Sequence, residues 1–207
     1  MLVRRLLKHP LNPERISNIQ SGNAILNIWI TDGNNIKSNK PTTNMTFEAA
    51  IAYTETLRVR KDLEASQLKS EIEALIKTSN GARGFFVSFL TGEWELADIP
   101  SEAIIQALQA EPNAIAELLV KNLAMSTAMA ITHQRNGNLE QAHGSERVAK
   151  RTALLIEKVD LPEVRAIAVQ MQNSAIFNTG DYKAFLEKWG YDAEQKQAIA
   201  NVLTITS

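Results

Sequence analysis

The stretch PNAIAELLVKNLAMSTAMAITHQRNGNLEQAHGSERVAKRTALLIEKV, residues 112–159, decides the fold. Glu111-Pro112 starts a helix in which Ile115, Leu118, Leu119, Leu123 and Met129 recur at helical spacing as far as about Arg135. Asn136-Gly137-Asn138 is a turn signal, and a further helix covers roughly residues 139–159. Two geometries stay open. In a hairpin, the small residues Ala124, Ser126, Thr127, Ala128 and Ala130 let two backbones approach, with Ala130 meeting Gly144 and Thr127 meeting Arg147. In one continuous helix, His133, Glu140, Arg147 and Arg151 share a face.

Working outward, the same grammar repeats on both sides. Phe47, Ala50, Ile51, Thr54 and Leu57, then Ala65, Leu68, Ile72, Leu75 and Ile76, keep a 3.6-residue period, as one long helix or two abutting ones closed by Asn80-Gly81. The run FFVSFL at 85–90 is too short for periodicity to decide. It reads as a buried helix capped by Asn80 with Gly92 at C′, or as a strand. Pro100-Ser101-Glu102 opens a helix through Ala110. Asp160 at N-cap, Pro162 in the first turn and Glu163 at N3 predict a helix through Ala175. Asp181 to Trp189 is helical, Gly190 ends it, and Asp192 with Gln195 caps a last helix to Leu203.

The N-terminal part is different. Residues 24–31, AILNIWIT, are rich in β-branched and aromatic types and stop at Asp32-Gly33, so a strand is expected there, after a short helix near 13–20. The expected fold is mostly α, a helical bundle of about six to eight helices with a minor β element near residues 24–31. One domain over 1–207 is expected, with residues 1–45 packing on or extending from a helical body at 46–207.

Bulk properties exclude several classes. The 207 residues contain no cysteine, which removes disulfides, thiolate metal sites and a cysteine nucleophile. The 22 basic and 23 acidic residues disfavour a strongly basic nucleic-acid binder. At 44% hydrophobic the chain is globular, and size scaling predicts about 70% of its surface buried. No uninterrupted run suggests a membrane span, and the basic start MLVRRLLKHP lacks the h-region of a signal peptide. Charge is uneven: residues 1–40 hold six basic and two acidic residues, while residues 84–120 hold six acidic and no basic ones. Such a dipole steers a partner or pairs two subunits, or is simply two solvated faces.

The candidate ligand-binding residues are His133, Arg135, Glu140, His143, Arg147 and Arg151. Glu140-x-x-His143 has the spacing with which di-metal bundles aim a carboxylate and an imidazole inward, but it is half of the required set, so no metal is assigned. Arg135, Arg147, Lys150 and Arg151 suit an anion, although Glu140, Glu146 and Glu157 lie close enough in sequence to neutralise them. Gly81-Ala82-Arg83-Gly84 has the GxxG form of a nucleic-acid clamp, yet an acidic helical stretch follows, so a turn needing positive φ is the simpler reading. No P-loop, GxGxxG, His-Glu-x-x-His or Gly-x-Ser-x-Gly is present, so no catalytic residue and no cofactor are assigned.

The strings GARGFFVSFLTG (81–92), LLVKNLAMSTAMAITHQRNGN (118–138) and HGSERVAKRT (143–152) resemble an uncharacterised family of cyanobacterial soluble proteins. The resemblance implies a cytoplasmic setting and brings no activity, cofactor or catalytic residue. The expectation is therefore a helical protein acting through a protein partner or its own copy, with no membrane and no nucleic acid. The alternative is a small-ligand or metal-binding protein or enzyme built on the polar stripe 133–151.

Overall fold

Thr46 begins the helical body: its hydroxyl accepts the Ala49 N–H at 3.2 Å and starts α1 (Phe47–Val59). The computed structural model describes residues 45–60 and 62–204. The expected strand at 24–31, the short helix near 13–20 and the basic N-terminal 40 residues lie outside the described residues. Among the described residues every regular element is a helix.

The periodic stretch after Phe47 is two helices, because the charged residues from Arg60 to Glu64 interrupt it. The second, α2 (Ala65–Ile76), is started by Gln67, whose side chain accepts the Glu64 N–H at 3.2 Å. Tyr53 donates to Glu71 at 2.5 Å and ties α1 to α2. Burial and that carboxylate push the Tyr53 phenol up to about 12.

Asn80-Gly81 does not end a helix. It lies in the first turn of α3 (Ser79–Thr91), where the Thr78 hydroxyl accepts the Gly81 N–H at 3.0 Å. The run 85–90 is thus helical, and every residue from Gly81 to Leu90 is buried. Gly81 and Gly84 are there for close approach rather than for positive φ. A Cβ on Gly84 would stand 2.5 Å from the Ala50 Cβ and 2.8 Å from the Phe47 carbonyl oxygen, so only glycine lets α1 cross α3 there. Gly92 ends α3 with φ −74°, an ordinary conformation and not the expected left-handed one. Phe85 stacks on Phe89 at 5.1 Å, and Phe89 meets Trp94 edge-on at 5.2 Å, forming the aromatic centre of this half.

A four-residue turn of helix, α4 (Glu95–Asp98), and α5 (Glu102–Gln109) lead to the central α6 (Pro112–Arg135). Pro112 sits at N1, where its missing N–H costs nothing. Gly137, at φ +72°, reverses the chain into α7 (Leu139–Val159). The hairpin geometry therefore holds, and α6 with α7 is the most extensive helix pair in the molecule. The expected contacts inside it need correction. A Cβ on Gly144 would touch nothing within 4 Å, so Ala130 does not press on it. The seam is built instead on Ala142, Ser145, Val148 and Thr152 of α7.

Asp160 is not the N-cap of the next helix. It adopts φ +45° as the left-handed end of α7, Leu161 takes the N-cap position, and Pro162 opens α8 (Pro162–Phe177). Two helices follow: α9 (Lys183–Lys188), which Gly190 ends at φ +62°, and α10 (Ala193–Thr204). Asp192 and Gln195 form the expected reciprocal box, each backbone N–H donating to the other's side chain at 3.1 and 2.9 Å. The described residues thus contain ten helices, of which α4 and α9 are too short for a periodicity reading to find.

Helix α6 is the axis of this body. It packs on α7 along one side and on α8 and α10 along another. On the N-terminal side α3 packs on α1, α2 and α7, and α2 packs on α5. Among the described residues α6 is the one helix long and apolar enough to cross a bilayer. Most of that apolar stretch is buried against neighbouring helices, as a core helix requires.

Candidate functional site

The hairpin sends the six candidate residues to different places. His133 is 5% exposed near the end of α6, and its Nε2 has no hydrogen-bond partner among the described residues. Burial holds its pKa below the ordinary histidine value, which keeps the ring neutral at pH 7. Arg135, two residues on, faces solvent and reaches α10, pairing with Asp192 and Glu194. Asp192 is held below the usual carboxylate range by that guanidinium. Glu140 and His143 both lie exposed near the start of α7. There the acid of Glu140 complements the helix dipole, and neither side chain has a hydrogen-bond or ion-pair partner among the described residues. No group of three or more histidine, aspartate or glutamate side chains is placed to hold a metal among the described residues.

Arg147 and Arg151 do come together, at the C-terminal end of α3. Arg147 donates to Glu93 at 3.1 Å and to the Thr91 carbonyl at 3.3 Å. Arg151 is 3% exposed and fully engaged. Its Nη1 donates to the carbonyls of Leu90 and Gly92 at 2.9 and 2.8 Å. Its Nε and Nη2 form a fork on the two Asp98 oxygens at 2.8 and 2.7 Å. The last carbonyls of a helix lack partners within it, and two arginines from α7 supply them here. Asp98 is drawn below the usual carboxylate range, first by the Arg151 hydrogen bonds. Beside this end, Ser88 donates to Glu55, which also accepts from Arg58 at 2.8 Å.

This arrangement answers the question of the charged stripe. The acids of the middle segment, Glu93 and Asp98, are the partners of the bases at 147 and 151. Sequence reasoning missed Glu93, Asp98 and Glu194 as partners. Sequence reasoning noted the acidic run at 84–120 but sought its counterpart in the basic residues 1–40 rather than in Arg147 and Arg151.

Three further features involve groups outside the six candidate residues. Asn122, on the same side of α6 as His133 and three turns away, is 3% exposed with both amide atoms unpaired. Ser145 Oγ, in the facing seam of α7, is buried and likewise unpaired. The third lies on the outside of α8. Its inner face, Val164, Ala168, Met171, Ser174 and Ala175, packs inward. Its outer face leaves Val169 42%, Ile176 52% and Phe177 67% exposed. No charge occurs from Ala166 to Gly180, a run in which a chain with 22% charged residues would ordinarily place several. Val59, Ile99 and Leu139 are also exposed, but each stands on a different element.

A family model described as Uncharacterised conserved protein UCP020893 matches residues 46–206. No curated protein and no solved structure matches the chain.

Proposed function

The chain belongs to that conserved family, and we propose that it works through protein–protein association, as a cytoplasmic helical protein that pairs with its own copy. The observation that supports this most is the outer face of α8: two full turns of exposed apolar and uncharged side chains on a helix whose other face is completely packed. Scattered exposed apolar residues are ordinary on soluble proteins, whereas a contiguous set on one helix face marks a contact surface. Sedimentation velocity across a concentration series is the test. A mass above that of the single chain, rising with concentration, is expected; a single chain at every concentration overturns the reading.

A small-ligand role has one specific observation in its favour. Asn122 and His133 of α6 and Ser145 of α7 are buried polar groups without partners among the described residues, and such groups ordinarily have them. Native mass spectrometry of the purified protein separates the two readings. A mass at a whole multiple of the bare chain fits the association reading, and a stoichiometric small-molecule adduct fits the ligand one.

A further inference from the structure

The chain contains two Asn-Gly pairs, Asn80-Gly81 and Asn136-Gly137. Such a pair carries its own reaction. The glycine backbone nitrogen, which no Cβ shields, attacks the Cγ of the asparagine amide. An N–Cγ bond forms and the Cγ–NH2 bond breaks. The glycine N–H proton leaves with the NH2 group as ammonia, and a succinimide ring remains. Water then opens the ring at either carbonyl. Opening at Cγ leaves aspartate, and opening at the backbone carbonyl leaves isoaspartate, in which the chain runs through the former side chain. The sum is amide plus water giving carboxyl plus ammonia, with no oxidant or reductant.

The fold treats the two pairs oppositely, and we infer that Asn136 is a site of spontaneous deamidation from which Asn80 is protected. Asn80 stands in the first turn of α3, where the backbone angles are fixed by the helix. The N–H of Gly81 donates to the Thr78 hydroxyl at 3.0 Å. Gly81 is buried, and a Cβ on it would lie 1.9 Å from the Leu75 carbonyl oxygen, so the attacking nitrogen has no room to turn. Asn136 stands at the end of α6, and every residue from Gln134 to Glu140 is exposed. Its ψ is 2°, and attack requires that angle to swing. A Cβ on Gly137 would meet nothing within 4 Å, so the turn has open space in which to do so. Two bonds resist the swing: Gly137 N–H to the Gln134 carbonyl at 3.0 Å and Asn138 N–H to the His133 carbonyl at 2.9 Å. Both close an exposed helix end, where fraying costs least. Asn138 is exposed as well, but the side chain of Leu139 crowds the nitrogen that would attack it.

The product falls on the turn that joins the most extensive helix pair. Isoaspartate lengthens the backbone there by one carbon, which moves the two N–H groups off the Gln134 and His133 carbonyls. Either product adds a carboxylate at the negative end of the α6 dipole. The α6–α7 turn therefore loosens as the protein ages.

The test is incubation of the full chain in mildly alkaline buffer, folded and in concentrated urea, followed by peptide mass mapping. In the folded chain Asn136 should convert at least about tenfold faster than Asn80, with a gain of about 1 Da and both aspartate and isoaspartate present. In urea the two sites should agree within about threefold, because only the dipeptide then sets the rate. N136Q, whose longer side chain would have to close a larger ring, should remove the main ammonia release of the folded chain. Equal conversion of Asn80 and Asn136 in the folded chain overturns the inference. So does an Asn136 that stays intact in the folded chain while the urea-unfolded chain converts. Hydrogen exchange at the Asn138 N–H should be at least about tenfold faster in the isoaspartate form than in fresh protein. Unchanged exchange overturns the loosening of the turn and leaves the modification site standing.

Discussion

Replacing Arg151 by Met would leave two α3 carbonyls and the Asp98 carboxylate without their donor at once. Breaking a buried ion pair from one side is costly, and because Asp98 is itself more than half exposed the expected loss is about 2–3 kcal/mol. Urea denaturation measures it, and Arg151→Lys should recover only part, since an ammonium cannot form the fork. The lowered pKa of Asp98 makes this contribution pH-dependent. It is present above the unfolded carboxylate value of about 3.9 and is lost as pH falls through the lower folded value. The stability gap between wild type and Asp98→Asn should therefore close in acid. His133 acts with the sign of a buried neutral imidazole. Its folded pKa lies below the unfolded value of about 6.5, so the unfolded chain takes up the proton first and stability falls as pH drops below that value. His133→Leu should flatten this part of the pH–stability curve; a curve with the same slope would mean that another group titrates there. None of these roles was legible in the candidate list. A histidine or arginine on a helix is compatible with a ligand, a surface pair or a buried cap, and its neighbours decide which.

At the scale of elements, two glycines on helices separate packing from propensity. Gly84→Ala pushes a methyl against Ala50 and the Phe47 carbonyl, so overpacking of about 1–3 kcal/mol should outweigh the helical gain of alanine. Gly144→Ala meets nothing within 4 Å and should stabilise by about 0.5–1 kcal/mol. Thermal denaturation of the pair checks both signs. Helices with long apolar repeats and strong punctuation were legible: Pro112 at the start of α6, the turn at Gly137 and the Asp192–Gln195 box stand where the sequence placed them. Boundaries that depend on backbone angle were not. Asp160 and Pro162 suggested a cap one residue early, because the same acid can cap a following helix or close the preceding one. The φ of +45° and the bond from Arg165 at 2.6 Å fix the second role. Gly81 and Gly84 read as a turn for a similar reason: glycine serves both positive φ and close approach, and only the crossing of α1 over α3 distinguishes them.

For the whole molecule, salt dependence separates two ways of associating. Pairing through segregated charge would weaken steeply as salt rises, whereas the uncharged centre of α8 should hold. The dimer constant is expected to change by less than about threefold between 50 and 500 mM salt; a much steeper loss would move the contact to the charged surfaces. By itself the sequence determined that the body from residue 46 onward is helical, as the described residues are, where its long helices run, and that neither cysteine chemistry nor a common catalytic motif is present. Those properties are local, set by a 3.6-residue period, by prolines and glycines at chain reversals, and by composition. Only the tertiary structure decided which charges meet. Arg151 finds Asp98 at a separation of 53 residues and Arg135 finds Asp192 at 57. It also decided which face of α8 stays uncovered. Both outcomes depend on how helices distant in sequence pack around α6, and side-chain packing of that kind leaves no periodic mark on the chain.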